Sequence, residues 1–134
     1  MRMILSFSFT LLMSGTAAIA SAGSLAQETE INQGLFHISV ADEIRKRCDV
    51  ISPRLFIAIT YMESLKKEAL RRGYSDAEID RYVHDKTEKA KMRARSDAYI
   101  REQGAEPNDG PSLCILGLRE IEMKSPIGAL LKAR

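Results

Sequence analysis

Two cysteines, Cys48 and Cys114, stand 66 positions apart in a chain of 134 residues that has no tryptophan and is only 6% aromatic. Joined, such a pair clips two distant segments together. Unjoined, it leaves sulfur available for a metal, a redox cycle or a nucleophile. The choice depends on the compartment, and residues 1–22 bear on it.

The opening "MRMILSFSFTLLMSGTAAIASAG" sets Arg2 before an apolar run from Ile4 to Met13. Small residues follow, with two overlapping A-x-A sites at Ala18-Ile19-Ala20 and Ala20-Ser21-Ala22. This is the three-part layout of a secretory signal peptide cleaved near Ala20 or Ala22. A membrane anchor needs about 20 predominantly apolar residues, roughly twice this run. No cysteine lies near the cleavage region, so lipid attachment at a mature N-terminal Cys is excluded. We therefore expect a periplasmic or secreted protein with a leader at 1–22, a flexible polar arm at 23–36 and a single helical domain at 37–134.

In an oxidising compartment an even cysteine count in a small chain favours a disulfide, and two cysteines allow one intramolecular pairing. On the chain-entropy account a Cys48–Cys114 bridge is worth roughly 4 kcal/mol as an upper figure. The alternatives, free or intermolecular thiols and metal or catalytic sulfur, find less support. There is no C-x-x-C, and a zinc site would need more ligands than the two cysteines with the scattered His37 and His84 readily supply. A small core without tryptophan also benefits from a staple.

The formal net charge of +2 falls to about +1 once Arg2 is removed with the leader. A near-neutral total argues against a dedicated nucleic-acid binder, which carries a strong basic excess.

Apolar spacing and local punctuation predict helices throughout. Ser39 opens the first as N-cap, with Val40, Ile44, Cys48 and Ile51 on its stripe. Ser52-Pro53 then restarts a second helix over about Pro53 to Arg72, with Ser52 as N-cap and Leu55, Ile59, Met62 and Leu65 or Ala69 facing inward. Gly73 is placed to end it in a left-handed cap. In "YSDAEI", Ser75 and Glu78 form a capping box, with Tyr74 and Ile79 as its staple. The third helix is expected from Asp76 to about Gln103, with Ile79, Tyr82, Val83, Thr87, Ala90, Ala94 and Ala98 inward. Lys86, Lys89 and Arg93 lie on a mixed-charge outer face that reads either as plain solvation or as a basic surface for an anionic lipid or acidic partner. After the turn-rich segment 104–112 a fourth helix carries Leu113, Cys114, Leu118 and Ile121, and Ser125-Pro126 introduces a closing apolar segment with Ile127, Leu130 and Leu131. The fold expected is an all-α bundle of four or five helices with one disulfide between its first and fourth helices.

No catalytic motif or cofactor signature is present. His84 and Asp85 are adjacent, so on a helix they diverge by about 100° and cannot act as a base with its orienting carboxylate. Neither a cofactor nor a metal is implied.

The helix "ADEIRKRCDVISPR" and the tail "GPSLCILGLREIEMKSPIGALLK", behind an exported leader, resemble an uncharacterised domain-of-unknown-function family of alphaproteobacteria. Its hallmark C-x-x-G-x-x-E-I-x-x-x-S-x-I-G-x-L-L is matched by Cys114, Gly117, Glu120, Ile121, Ser125, Ile127, Gly128, Leu130 and Leu131, and the resemblance covers residues 37–134. It implies no activity. An association of such small genes with the respiratory NADH dehydrogenase cluster implies an accessory or assembly role. The expected function is a periplasmic, non-catalytic protein-binding or accessory module with at most peripheral membrane contact. Its surface is expected at Lys86, Lys89 and Arg93 or at Ile127, Leu130 and Leu131. A stress-protective, chaperone-like protein and a motif-free enzyme are the alternatives.

Overall fold

The computed structural model describes residues 23–134, and the expected leader at 1–22 lies outside the described residues. Its first helix, α1, runs from Thr29 to Arg47 and is the element against which most others pack. The stretch expected as a flexible arm is therefore ordered. A 3-10 turn at Leu25–Gln27 precedes α1, and Leu25, Ile31 and Phe36 are all buried. Gly34 lies inside α1, where its lack of a side chain makes room for α2: a Cβ there would lie 2.5 Å from the Leu65 side chain. Ser39 is consequently an interior residue of α1, not its cap, and its Oγ accepts a hydrogen bond from Ser96 Oγ at 2.8 Å.

Strand β1 (Ile51–Pro53) follows, then α2 (Leu55–Arg71), α3 (Asp76–His84), α4 (Lys86–Glu102), α5 (Gly110–Glu122), a 3-10 turn at Gly128–Leu130, and β2 (Leu131–Ala133). The strands pair antiparallel with Ile51 opposite Ala133, Ser52 opposite Lys132 and Pro53 opposite Leu131. Ser52 therefore caps nothing. It lies in β1, and its Oγ accepts from Arg134 Nε at 2.5 Å. The residue at the α2 N-cap is Arg54, whose backbone N–H donates to Leu130 O at 2.8 Å. A long-range ribbon has overridden the local Ser-Pro restart signal.

Where punctuation is purely local, the chain follows it. Gly73 ends α2 with φ +96°, a conformation that costs glycine little. Ser75 Oγ accepts from Glu78 N, and the Glu78 carboxylate accepts from Ser75 N at 2.7 Å, completing the capping box of α3. The expected third helix, however, is two. Asp85 adopts extended geometry (φ −65°, ψ 126°) and its carboxylate caps α4 by accepting from Glu88 N at 2.8 Å. One residue outside the helix resets the 100° phase, so Ala90, Ala94 and Ala98 are exposed and Ser96 and Ile100 are buried instead.

The main core gathers Phe36, Val40, Ala41 and Ile44 of α1 with Ile51, Ile100, Leu113, Leu116, Ile127, Leu130 and Leu131. A second cluster joins Leu25, Ile31, Ala69 and Tyr74, with Ile79 and Tyr82 against it. Cys48 and Cys114 are bonded, Cα to Cα 5.1 Å, linking the end of α1 to the N-terminal part of α5. The fold is thus a small all-α bundle of five helices with a two-stranded ribbon. No helix among the described residues is long and apolar enough to cross a membrane.

A charged clamp holds the N-terminal turn to the end of α2. Arg72 bonds Glu28, Glu30 and, at 2.7 Å, Glu68, while the Tyr74 hydroxyl donates to Glu28 at 2.8 Å. Hydrogen bonds from Arg71 and Arg72 pull the Glu68 carboxyl from 4.5 to about 2, and Tyr74, then Arg72, lower that of Glu28. A carboxyl whose folded pKa is depressed stabilises the fold above its unfolded pKa and loses that contribution as pH falls through the folded value. Stability should therefore hold above about pH 4.5 and decline toward pH 2. Arg72→Ala should make that decline shallower without removing it, since Arg71 still holds Glu68 and Tyr74 still holds Glu28, as read from denaturant midpoints across the acid range. Separately, Cys48→Ser with Cys114→Ser should lower unfolding free energy by up to about 4 kcal/mol in the same measurement.

Candidate functional site

The C-terminal run expected to form an interaction surface is instead interior. Ile127, Leu130 and Leu131 are 3%, 4% and 2% exposed, so they cannot present a patch. They are buried because Ser125 and Glu120 fold the tail back. Glu120 on α5, itself 1% exposed, accepts from the Tyr99 hydroxyl at 2.5 Å through Oε1 and from Ser125 Oγ through Oε2. Ser125 Oγ in turn accepts from Gly128 N at 2.9 Å. A Cβ at Gly128 would lie 2.0 Å from Glu120 O, so only glycine fits that crossing, and Gly117 likewise leaves room for Ile44 and Ile51.

Both oxygens of Glu120 are thus occupied. Burial, then the hydrogen bond to Glu120, pushes the Tyr99 phenol upward, so Tyr99 remains a hydrogen-bond donor. The Tyr99 ring meets Phe36 edge-on at 5.3 Å, and the Arg95 guanidinium lies over Phe36 at 4.4 Å. Nearby, His37 Nδ1 lies 3.2 Å from Tyr61 Oη, and burial, then Arg95, lowers its pKa. This constellation holds tail, α4 and α5 in register. Spacing in the sequence could have revealed Glu120 and Ser125 as paired only with knowledge that the intervening turn folds back.

The basic residues of α4 separate. Lys86 and Lys89 are exposed, whereas Arg93 bonds Glu43 at 2.5 Å, Asp97 at 2.9 Å and Asn108 at 3.2 Å. Arg93 therefore compensates a carboxylate that is only 7% exposed, and is not a spare cation. Lys89 and Arg93 border a 530 Å³ cleft whose other charged residues, Asp42, Glu43, Lys46 and Glu88, leave it of mixed sign.

A different surface is apolar. Leu55, Ile59 and Met62 of α2, expected to face inward, are 63%, 51% and 44% exposed, and of that face only Ala69 is buried. They flank a 270 Å³ groove between α1 and α2 that is also lined by Ile38, Ala41, Ala58 and Pro53, with Leu130 and Leu131 contributing to its wall. Its charged residues, Asp42 and Arg45, pair with one another at 2.5 Å. Such a groove can accept a row of apolar side chains. It presents no unpaired titratable group, among the described residues, with which to do chemistry.

Residues 23–132 match the model of a family described as a family of unknown function, DUF5333. The chain belongs to the DUF5333 family. No curated protein and no solved structure matches it. Among the described residues of this DUF5333 protein, no three His, Cys, Asp or Glu side chains gather as a metal-ligand set.

The residues that join the tail to α4 and α5 have a mechanical role that substitution can measure. Glu120→Ala leaves the partly buried Tyr99 and Ser125 hydroxyls without their acceptor and should cost about 2–4 kcal/mol by urea denaturation. Glu120→Gln, which keeps one carbonyl acceptor, should cost distinctly less.

Proposed function

We propose that this DUF5333 protein is an exported, non-catalytic binding module that takes an amphipathic helix of a partner protein into the α1–α2 groove. The observation that carries this reading is the exposed row Leu55, Ile59 and Met62 beside an apolar groove, in a molecule whose core is completed by other residues. The row spans two helical turns at i, i+4 and i+7, the spacing that meets the apolar face of a second helix. Because Asp42 and Arg45 neutralise one another, the occupant is recognised by apolar side chains more than by charge.

Export is supported by the leader layout of residues 1–22 and by a disulfide that spans the fold, a bond that persists in oxidising compartments. The family match beginning at residue 23, at the expected mature start, agrees with that division.

A photo-crosslinking residue at Ile59 or Met62, in protein exported by its own leader, should capture a partner protein, while one at exposed Lys67 should not. Ile59→Asp should abolish capture with a thermal midpoint unchanged within about 2 °C, since a surface substitution alters stability little. Equal capture from all three positions, or none from Ile59 and Met62, would sink the reading.

A further inference from the structure

The N-terminal tip of α2, which adjoins the groove, has a different character from it. Its N-cap and first residues, Arg54-Leu55-Phe56-Ile57, are exposed throughout, with Phe56 at 90%. The ribbon sets Lys132 opposite Ser52, so that Pro53, Arg54, Phe56, Ile57 and Lys132 surround one shallow depression. Arg134 lies at the other end of the ribbon, where its backbone N–H donates to Val50 O at 2.9 Å, and its side chain reaches back to Ser52 Oγ, opposite Lys132. Arg54, Lys132 and Arg134 form no ion pair among the described residues, although Arg54 Nη1 also donates weakly to Ala129 O at 3.4 Å. Neither segment 50–62 nor segment 127–134 contains an Asp or Glu; the flanking acids in sequence are Asp49 and Glu63.

Three successive helix positions point about 100° apart, so Leu55, Phe56 and Ile57 splay around the helix end and do not form one stripe. A protein partner would need a separate socket for each. The interfacial zone of a bilayer accepts apolar groups in every direction, while arginine and lysine heads extend to the phosphates. We infer that the tip formed by Leu55, Phe56 and Ile57 inserts into an anionic lipid surface, with Arg54, Lys132 and Arg134 contacting its headgroups. Charge complementarity selects the occupant, because each cation near an anionic surface adds to the attraction and an uncharged bilayer offers none of it. The tip and the groove share Leu55 and Pro53 but otherwise use different residues, so either assignment can fail without the other.

The absence of tryptophan makes the test position-specific. Phe56→Trp, in the protein recovered from exporting cells, introduces the sole indole. Added vesicles containing phosphatidylglycerol should shift its emission to the blue, and brominated acyl chains should quench it. Vesicles of phosphatidylcholine alone should do neither. Neutralising Arg54, Lys132 and Arg134 together to Gln should weaken partitioning by about 100-fold at low salt. The control Lys67→Trp, with its sole indole further along α2, should stay in water. Emission of the Phe56→Trp variant unmoved by anionic vesicles overturns the inference, even if the protein sediments with them, because the contact then lies elsewhere. An equal shift on neutral vesicles overturns it too. So does a concentration-dependent shift without vesicles, which would place a second copy of the chain on the tip.

Discussion

The Cys48–Cys114 bond joins the end of α1 to the start of α5, and the packing of the C-terminal half is organised around that joint. Beyond Cys48 the chain leaves the helix in extended geometry, turns, and enters β1, where Ile51 pairs with Ala133. The bond therefore lies close to where the ribbon begins, and the ribbon brings Leu130 and Leu131 back against the α1 core. A core with no tryptophan has limited apolar area from which to draw stability, so a constraint on the unfolded chain carries unusual weight.

Register in the tail is set by polarity as well as by apolar burial. Ile127, Leu130 and Leu131 could satisfy the hydrophobic effect in more than one alignment, since burial of apolar area is not directional. Glu120 is directional: once buried it needs donors, and in the observed alignment Tyr99 and Ser125 reach its two oxygens. The close crossing of Gly128 over Glu120 O then limits what else the turn can do. Although its residue types would suit an active site, the cluster is a fully hydrogen-bonded structural joint.

What is legible in the sequence is what depends on neighbours in sequence. The Ser75–Glu78 box and the Gly73 stop involve groups within one turn, and the helical class and the disulfide follow from composition, spacing and an even cysteine count. What stays hidden depends on distant partners. Ser39 reads as a cap until Leu25, Ile31 and Phe36 find buried sites that extend α1 toward the N-terminus. Ser52-Pro53 reads as a restart until residues from the far end of the chain pair with it. Asp85 carries a cap signal within a helical pattern, and reading through it inverts the inward face of α4. In the tail, apolar residues suggest a surface, but periodicity cannot distinguish a buried stripe from an exposed one.

The same ambiguity makes α2 informative. A helix face of Leu55, Ile59 and Met62 would ordinarily be read as core, yet the core is closed by α1, α4, α5 and the tail. Folding gains little from leaving these side chains, or Phe56, in water, and polar residues at the same positions would satisfy the helix equally well. Their apolar character is therefore not required by the fold of the monomer. Scattered exposed leucines need no such explanation, but this set is contiguous on one helix, borders a groove on one side, and meets Arg54 and Lys132 at its end. The core, the staple and the interior Glu120 are all completed without the apolar surface of α2, which stays exposed.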